Sequence, residues 1–200
     1  MSEAWKQVTV ASVVEGDGEV PALPKVLHRI AADLGVVTLQ TPRPMREPRG
    51  RIIRAGGIER LVEAAALRVP GDGGVIVLID ADDDCPAELG PQLLERARAV
   101  RPDKRIAVVL ANREFEAWFM AAAPSLAGKY GFPGWLKAPD APEKPRDCKG
   151  WIKRTRGSYE PPVDQAPLAS IFDMKLARQH SDSFDKFYRD VTGLLGGTTD

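Results

Sequence analysis

Cysteine and histidine are scarce in this chain, two of each in 200 residues. Cys85 and Cys148 lie far apart in sequence, and neither they nor His28 and His180 make the spaced ligand pairs of a zinc site or a redox-active thiol motif. The expectation is a reduced, cytoplasmic protein, long enough to bury a core without disulfide or metal staples. An excess of either charge is also missing: 28 Lys and Arg balance 28 Asp and Glu. Net charge therefore points to no polyanion or membrane surface, and only local patches can speak. Long apolar runs are absent too. The run Val8 to Val14 is too short for a signal-peptide core or a membrane span.

Acids at the ends of apolar runs are what the chain does have. Val75-Ile76-Val77-Leu78-Ile79 ends in Asp80-Ala81-Asp82-Asp83-Asp84. If the extended geometry persists, Asp80, Asp82 and Asp84 share one face, and carboxylates so close repel unless a cation joins them. A hard divalent ion, Mg²⁺ or Mn²⁺, suits such oxygen donors. Upstream, Val8 to Val14 leads into Glu15-Gly16-Asp17-Gly18-Glu19, and downstream Ile106 to Ala111 is followed by Glu114 and Glu116. Asp83 and Asp84 on their own fit the first turn of the helix that follows. No Gly-x-Gly-x-x-Gly or Walker lysine follows Gly16, so that turn is not a nucleotide loop.

Between these acids, strand and helix alternate. Leu23, Val26, Leu27, Ile30 and Leu34 recur at helical spacing, with Gly35 placed as the C-cap. Val36 to Gln40 reads as a short strand, Ile58 to Ala65 as a second helix, and Val75 to Asp80 as a third strand. Leu89 to Val100 forms a helix stopped by Pro102, Ile106 to Ala111 a fourth strand, and a fourth helix is expected from near Asn112. This alternation predicts an α/β domain with a Rossmann-like parallel sheet of about four strands and helices on both faces, residues 1–123 forming the core. Functional crevices in such sheets open beyond the carboxyl ends of the strands, where these acids fall.

Residues 124–167 are broken by prolines and rich in basic residues, and read as an irregular insertion packed on that edge. Two closing helices over 168–195 complete the single domain, Ser181 or Ser183 capping the second, and a frayed tail follows from Gly196. Phe115, Trp118, Phe119 and Ala122 repeat as a core stripe. His28, His180 and Cys85 carry no predicted chemistry. Two basic clusters stand out: Arg43, Arg46, Arg49, Arg51 and Arg54, then Lys144, Arg146, Lys149, Lys153, Arg154 and Arg156, with Trp151 and Tyr159 interleaved. Arg49, Arg51, Lys149, Lys153, Arg154 and Arg156 are the candidate nucleic-acid contacts, weighed against a solvated loop or a contact to an acidic partner.

The strand closing in Val14-Glu15-Gly16, the strand closing in Asp80-Ala81-Asp82 and the parallel units between them resemble the Toprim domain of topoisomerases, primases and overcoming-lysogenization-defect nucleases. With Glu114-Phe115-Glu116-Ala117-Trp118 and Ser181-Asp182-Ser183-Phe184 added, nearly the whole chain resembles a bacterial Toprim-like family of unknown function, of the DUF4276 type. The resemblance implies Glu15 as metal ligand or general acid/base and Asp80 and Asp82 as the Asp-x-Asp metal ligands. It also implies a partner ATPase of the structural-maintenance or overcoming-lysogenization-defect type in a phage-defence setting.

Glu114 ranks ahead of Glu116 because it lies closer to the strand end, and if Asn112 caps a helix only one of the two can reach the crevice. The candidate catalytic residues are thus Glu15, Asp80, Asp82 and Glu114. Glu15, Glu19, Asp80, Asp82 and Asp84 are the candidate ligands for Mg²⁺ or Mn²⁺. The expected activity is metal-dependent phosphoryl transfer, as a nuclease on DNA or RNA. The rivals are a non-catalytic module binding nucleic acid or the ATPase, and another Mg²⁺-dependent phosphotransferase or phosphatase.

Overall fold

The structure, a computed structural model, describes residues 7–36, 38–71 and 73–197. Its centre is a five-stranded sheet in which every pairing is parallel. The strands are β1 (Val8–Val14), β2 (Leu39–Gln40), β3 (Met45–Arg46), β4 (Gly74–Asp80) and β5 (Arg105–Ala111). The order is β2-β1-β4-β5, with β3 also on β1. Val8 pairs with Leu39 and Val13 with Met45, so β2 and β3 are two short pieces of one interrupted edge. The expected strand from Val36 is therefore shorter, and Val37 lies outside the described residues.

The long strands are buried almost throughout, and successive side chains alternate between two cores. Val10, Val14, Ile76, Leu78, Ala107 and Val109 enter one core, while Ala11, Val13, Val75, Val77, Ile106 and Val108 enter the other. A parallel sheet covered on both faces needs continuous apolar strands, and these supply them. On the first face lie α1 (Glu19–Asp33), α5 (Ala117–Ala121), α7 (Pro161–Ile171), α8 (Met174–His180) and α9 (Asp182–Leu194). The second carries α2 (Arg49–Ile53), α3 (Gly57–Ala66) and α4 (Pro86–Val100). A 3-10 turn, Ala123–Leu126, follows α5, and α6 (Cys148–Arg156) sits over the carboxyl edge. Phe115, Trp118 and Phe119 are fully buried, the Trp118 ring packing at a tilt 4.7 Å from Phe115 and 4.9 Å from Phe187 between centroids. The aromatic stripe is core.

Gly35 takes the left-handed conformation (φ 70°) after α1, where Val36 N–H bonds back to Ala31 O at 2.8 Å. Ser181, not Ser183, caps α9 by accepting the Phe184 N–H at 3.0 Å. Three expectations need correction. The 124–167 segment is not irregular throughout: α6 forms inside it, and α7 starts at Pro161. Pro161 and Pro162 fall in the first helical turn, where a missing N–H costs nothing. The helix after β5 starts at Ala117 and not near Asn112, because Arg113 adopts φ 67° and residues 112–116 form a turn. The α4 N-cap is Cys85 followed by Pro86, so neither Asp83 nor Asp84 caps it. Of the tail, residues 198–200 lie outside the described residues.

Candidate functional site

The chain runs from β1 outward to β2 on one side and later from β4 outward to β5 on the other. The neighbours β1 and β4 thus mark a topological switch point, where crossovers diverge and a crevice opens past the strand ends. Glu15 follows β1 and Asp80 ends β4 at that crevice. Their contact is direct: the Asp80 N–H reaches Glu15 Oε2 at 3.3 Å. Asp80 Oδ1 accepts the Phe115 N–H at 2.8 Å, which ties the turn after β5 to the end of β4.

Into this crevice α6 delivers Lys149. Its Nζ lies 3.0 Å from Glu116 Oε2, 3.3 Å from Glu114 Oε2 and 3.5 Å from Asp80 Oδ2. The Lys149 N–H also donates to Glu114 Oε2 at 3.0 Å, pinning the start of α6. Both glutamates therefore reach the site, against the expectation that only one can. Two residues in a turn are not held on opposite sides of a cylinder, and the helix that would separate them has not begun. Glu116 is fully buried, with Tyr159 Oη donating to its Oε1 at 2.8 Å. Gln165 bridges Glu19 and Glu116, its Nε2 lying 3.0 Å from Glu19 Oε1 and 3.5 Å from Glu116 Oε1. Glu19 turns back to accept the Gly16 N–H at 2.6 Å.

Electrostatics follow from this crowding. Burial pushes the Asp80 carboxyl well above the usual carboxylate range; Lys149 opposes the shift, while Glu116, Glu19 and Glu15 add to it. Burial likewise raises Glu116 against the pull of Lys149 and Tyr159, and raises Glu15 against the Asp80 N–H. Burial alone would lower Lys149, yet Glu116, Asp80 and Glu114 hold its ammonium above the usual lysine range. Asp80, Glu114 and Glu116 thus converge on one lysine, with Glu15 adjoining through the Asp80 N–H and Glu19 through Gln165.

Asp82 and Asp84 stand apart from this group, which corrects the shared-face expectation. The strand ends at Asp80 and Asp82 is left-handed (φ 51°), so alternation stops. Arg49 gathers them: its Nε lies 3.6 Å from Asp82 Oδ2, and its Nη2 bonds Asp84 Oδ2. The same guanidinium caps β4 through Asp80 O at 3.0 Å and Ala81 O at 3.4 Å. Asp82 remains close enough to Glu15 to raise it. Asp83 faces Arg113 at 2.9 Å and Arg146 at 3.0 Å, beside a cleft of ≈ 300 Å³ lined by Asp82, Asp83, Arg113, Glu114 and Arg146. Asp82 N–H bonds Arg113 O at 3.1 Å and Arg113 Nη1 bonds Asp82 O at 2.8 Å, so two left-handed turns brace each other.

The remaining basic candidates scatter. Arg51 pairs with Glu47 at 3.2 Å, Arg154 with Asp147 at 2.8 Å and Arg156 with Asp164 at 2.7 Å, while Lys153 is exposed on α6. Tyr159 is buried and offers no stacking face; Trp135, 74% exposed, does. Sequence reasoning ranked Glu116 second and left out Tyr159, Gln165 and Arg113 from the site. Only Glu116 carried a signal, its nearness to Glu114; a lone Gln in a helix has none.

Among the described residues, no three of His, Cys, Asp and Glu are already gathered as a metal-holding group. The acids are spaced around Lys149 instead. Nor is any helix long and apolar enough to cross a membrane, among the described residues. No curated protein and no solved structure matches the chain. Residues 14–192 match the family model described as Domain of unknown function (DUF4276). The chain, with its acids at the switch point of a parallel sheet, belongs to that family.

Proposed function

We propose that this domain is a Toprim-like, metal-dependent phosphoryl-transfer enzyme, a nuclease acting on DNA or RNA under the control of a partner ATPase. The observation that supports it most is the convergence of Glu15 and Asp80 from adjacent strands at the switch point, joined by Glu114 and Glu116 from the turn after the next strand. The Toprim resemblance implies such a relation between its first acid and the first Asp of its Asp-x-Asp pair; the second, Asp82, turns to Arg49 instead.

The donor set fits a hard divalent cation. Every side chain concerned offers carboxylate oxygen, and several carboxylates share one compensating ammonium, so the crevice holds an excess of negative charge. Glu15 and Asp80 would hold the ion, with Asp82 adjoining and Glu114 or Glu116 closing the far side. When bound, such an ion supplies positive charge to the attacking and leaving oxygens of a phosphodiester. The chain's own parts hold the geometry: the Phe115 N–H fixes Asp80, Arg49 fixes the end of β4, and Gln165 spaces Glu19 from Glu116. Arg113 and Arg146, both paired with Asp83, rim the adjoining cleft and would be the donors to a phosphate backbone there.

One observation favours a second reading. Lys149 already compensates Asp80, Glu114 and Glu116, which suits a module that binds nucleic acid or the ATPase without turnover. Cleavage separates the two. Supercoiled DNA, single-stranded DNA and total cellular RNA are incubated with Mg²⁺ or Mn²⁺, with and without EDTA, and with the candidate ATPase. The enzyme reading expects EDTA-sensitive cleavage that drops by at least about 100-fold in Asp80→Asn. Undiminished cleavage by a folded Asp80→Asn protein would refute the assignment.

A further inference from the structure

Lys149 is the feature that the proposed chemistry leaves unexplained. Its ammonium stands within 3.0 to 3.5 Å of Glu116, Glu114 and Asp80, between the acid at the end of β4 and those that would close the far side of the ion site. A lysine and a divalent ion cannot share that centre. The side chain is 40% exposed, so its four-carbon stem has an open way to solvent, whereas its backbone is fixed by the N–H bond to Glu114 and by the Asp147 cap on α6. The stem can therefore leave while the helix stays.

We propose that Lys149 is a tethered cation that keeps the acidic site closed, its ammonium taking the place of a divalent ion that binds only when the side chain swings out. The inference rests on the metal-site reading above. A tethered competitor lowers apparent affinity by the fraction of molecules in which the site is open, so removing it restores the intrinsic value. The function of such a device is restraint: the free domain is held idle, and a partner or substrate phosphate that draws the ammonium away opens the site.

The experiment measures Mn²⁺ binding calorimetrically on the full chain, as wild type, Lys149→Met and Asp80→Asn, with circular dichroism to verify folding. Methionine keeps the length of the stem and removes the charge. The expected result is Mn²⁺ binding at least about tenfold tighter in Lys149→Met than in wild type, and none at this site in Asp80→Asn. A wild-type measurement guards against a variant that fails to fold. Acylation of lysines, read by peptide mass spectrometry, finds Lys149 protected without metal and reactive with saturating Mn²⁺, with the exposed Lys153 unchanged as the internal reference. Equal or weaker Mn²⁺ binding by folded Lys149→Met, or Lys149 protection that Mn²⁺ leaves intact, overturns the tether while an Asp80-dependent site preserves the metal reading. Absence of Mn²⁺ binding in both wild type and Lys149→Met removes that reading, and the tether with it.

Discussion

Cys148 shows how the site governs a side chain that takes no part in its chemistry. It is buried against Ala117 and Met120, and burial, with Glu114 and Glu116 near, pushes its thiol up to about 12. At pH 8 the thiolate fraction is then on the order of 10⁻⁴. Cys85, exposed at the start of α4, has no such protection. Thiol titration of the folded protein at pH 8 is expected to find one fast-reacting cysteine, Cys85, with Cys148 reacting only after denaturation; rapid reaction of both would contradict the packing. At this scale the sequence disclosed identities better than directions. Asp80 and Glu15 were legible because each ends an apolar run. The departure of Asp82 was not, because it depends on one left-handed residue braced by Arg113, a partner thirty-one positions away.

Elements set the spacing of the site, and close approaches between them leave little tolerance. Gly18 lies where α1 begins, and a Cβ there would meet Gln165 Oε1 at 1.9 Å and Pro161 O at 2.9 Å, the second being backbone that cannot give way. Gly18→Ala is therefore expected to displace α7 and its Gln165 bridge and to cost about 1–3 kcal/mol in denaturant unfolding. A neutral effect would show that the α1–α7 contact is looser than described. The joint between α8 and α9 is tested by pH. Burial alone would raise Asp185, but hydrogen bonds from Arg178 and Arg189 outweigh it and lower the carboxyl below its usual 3.8.

A carboxyl lowered on folding stabilises above its unfolded value, and that stability is lost as pH falls through the folded value. Asp185→Asn should thus cost about 0.5–1 kcal/mol at pH 7, partial exposure limiting the figure, and the cost should vanish well below pH 3.8. A cost independent of pH would assign Asp185 to packing instead. Long elements were legible from periodicity, as β4 and α9 were. α6 and the true start of α7 were not, since prolines that break a helix interior also open a helix, and position decides which.

At the scale of the whole molecule, topology assembles the acids. β1 and β4 are sixty residues apart in sequence order yet pair from Val10↔Gly74 to Val14↔Leu78, and this register puts Glu15 beside Asp80. The alternation of apolar strands with helices made the parallel sheet with helices on both faces readable from the chain, and the rule for strand ends then indicated the edge. The role of Lys149 as the centre of the acids was beyond that reading, because no periodicity states which basic residue of a proline-broken segment folds back. The most direct test is the paramagnetic resonance of Mn²⁺ titrated with wild-type protein, Lys149→Met and Asp80→Asn. The expected result is loss of the free-ion signal into one saturable class in Lys149→Met, reached at higher concentration in wild type, and none in Asp80→Asn; no saturable class in either wild type or Lys149→Met, or one that Asp80→Asn retains, would contradict it.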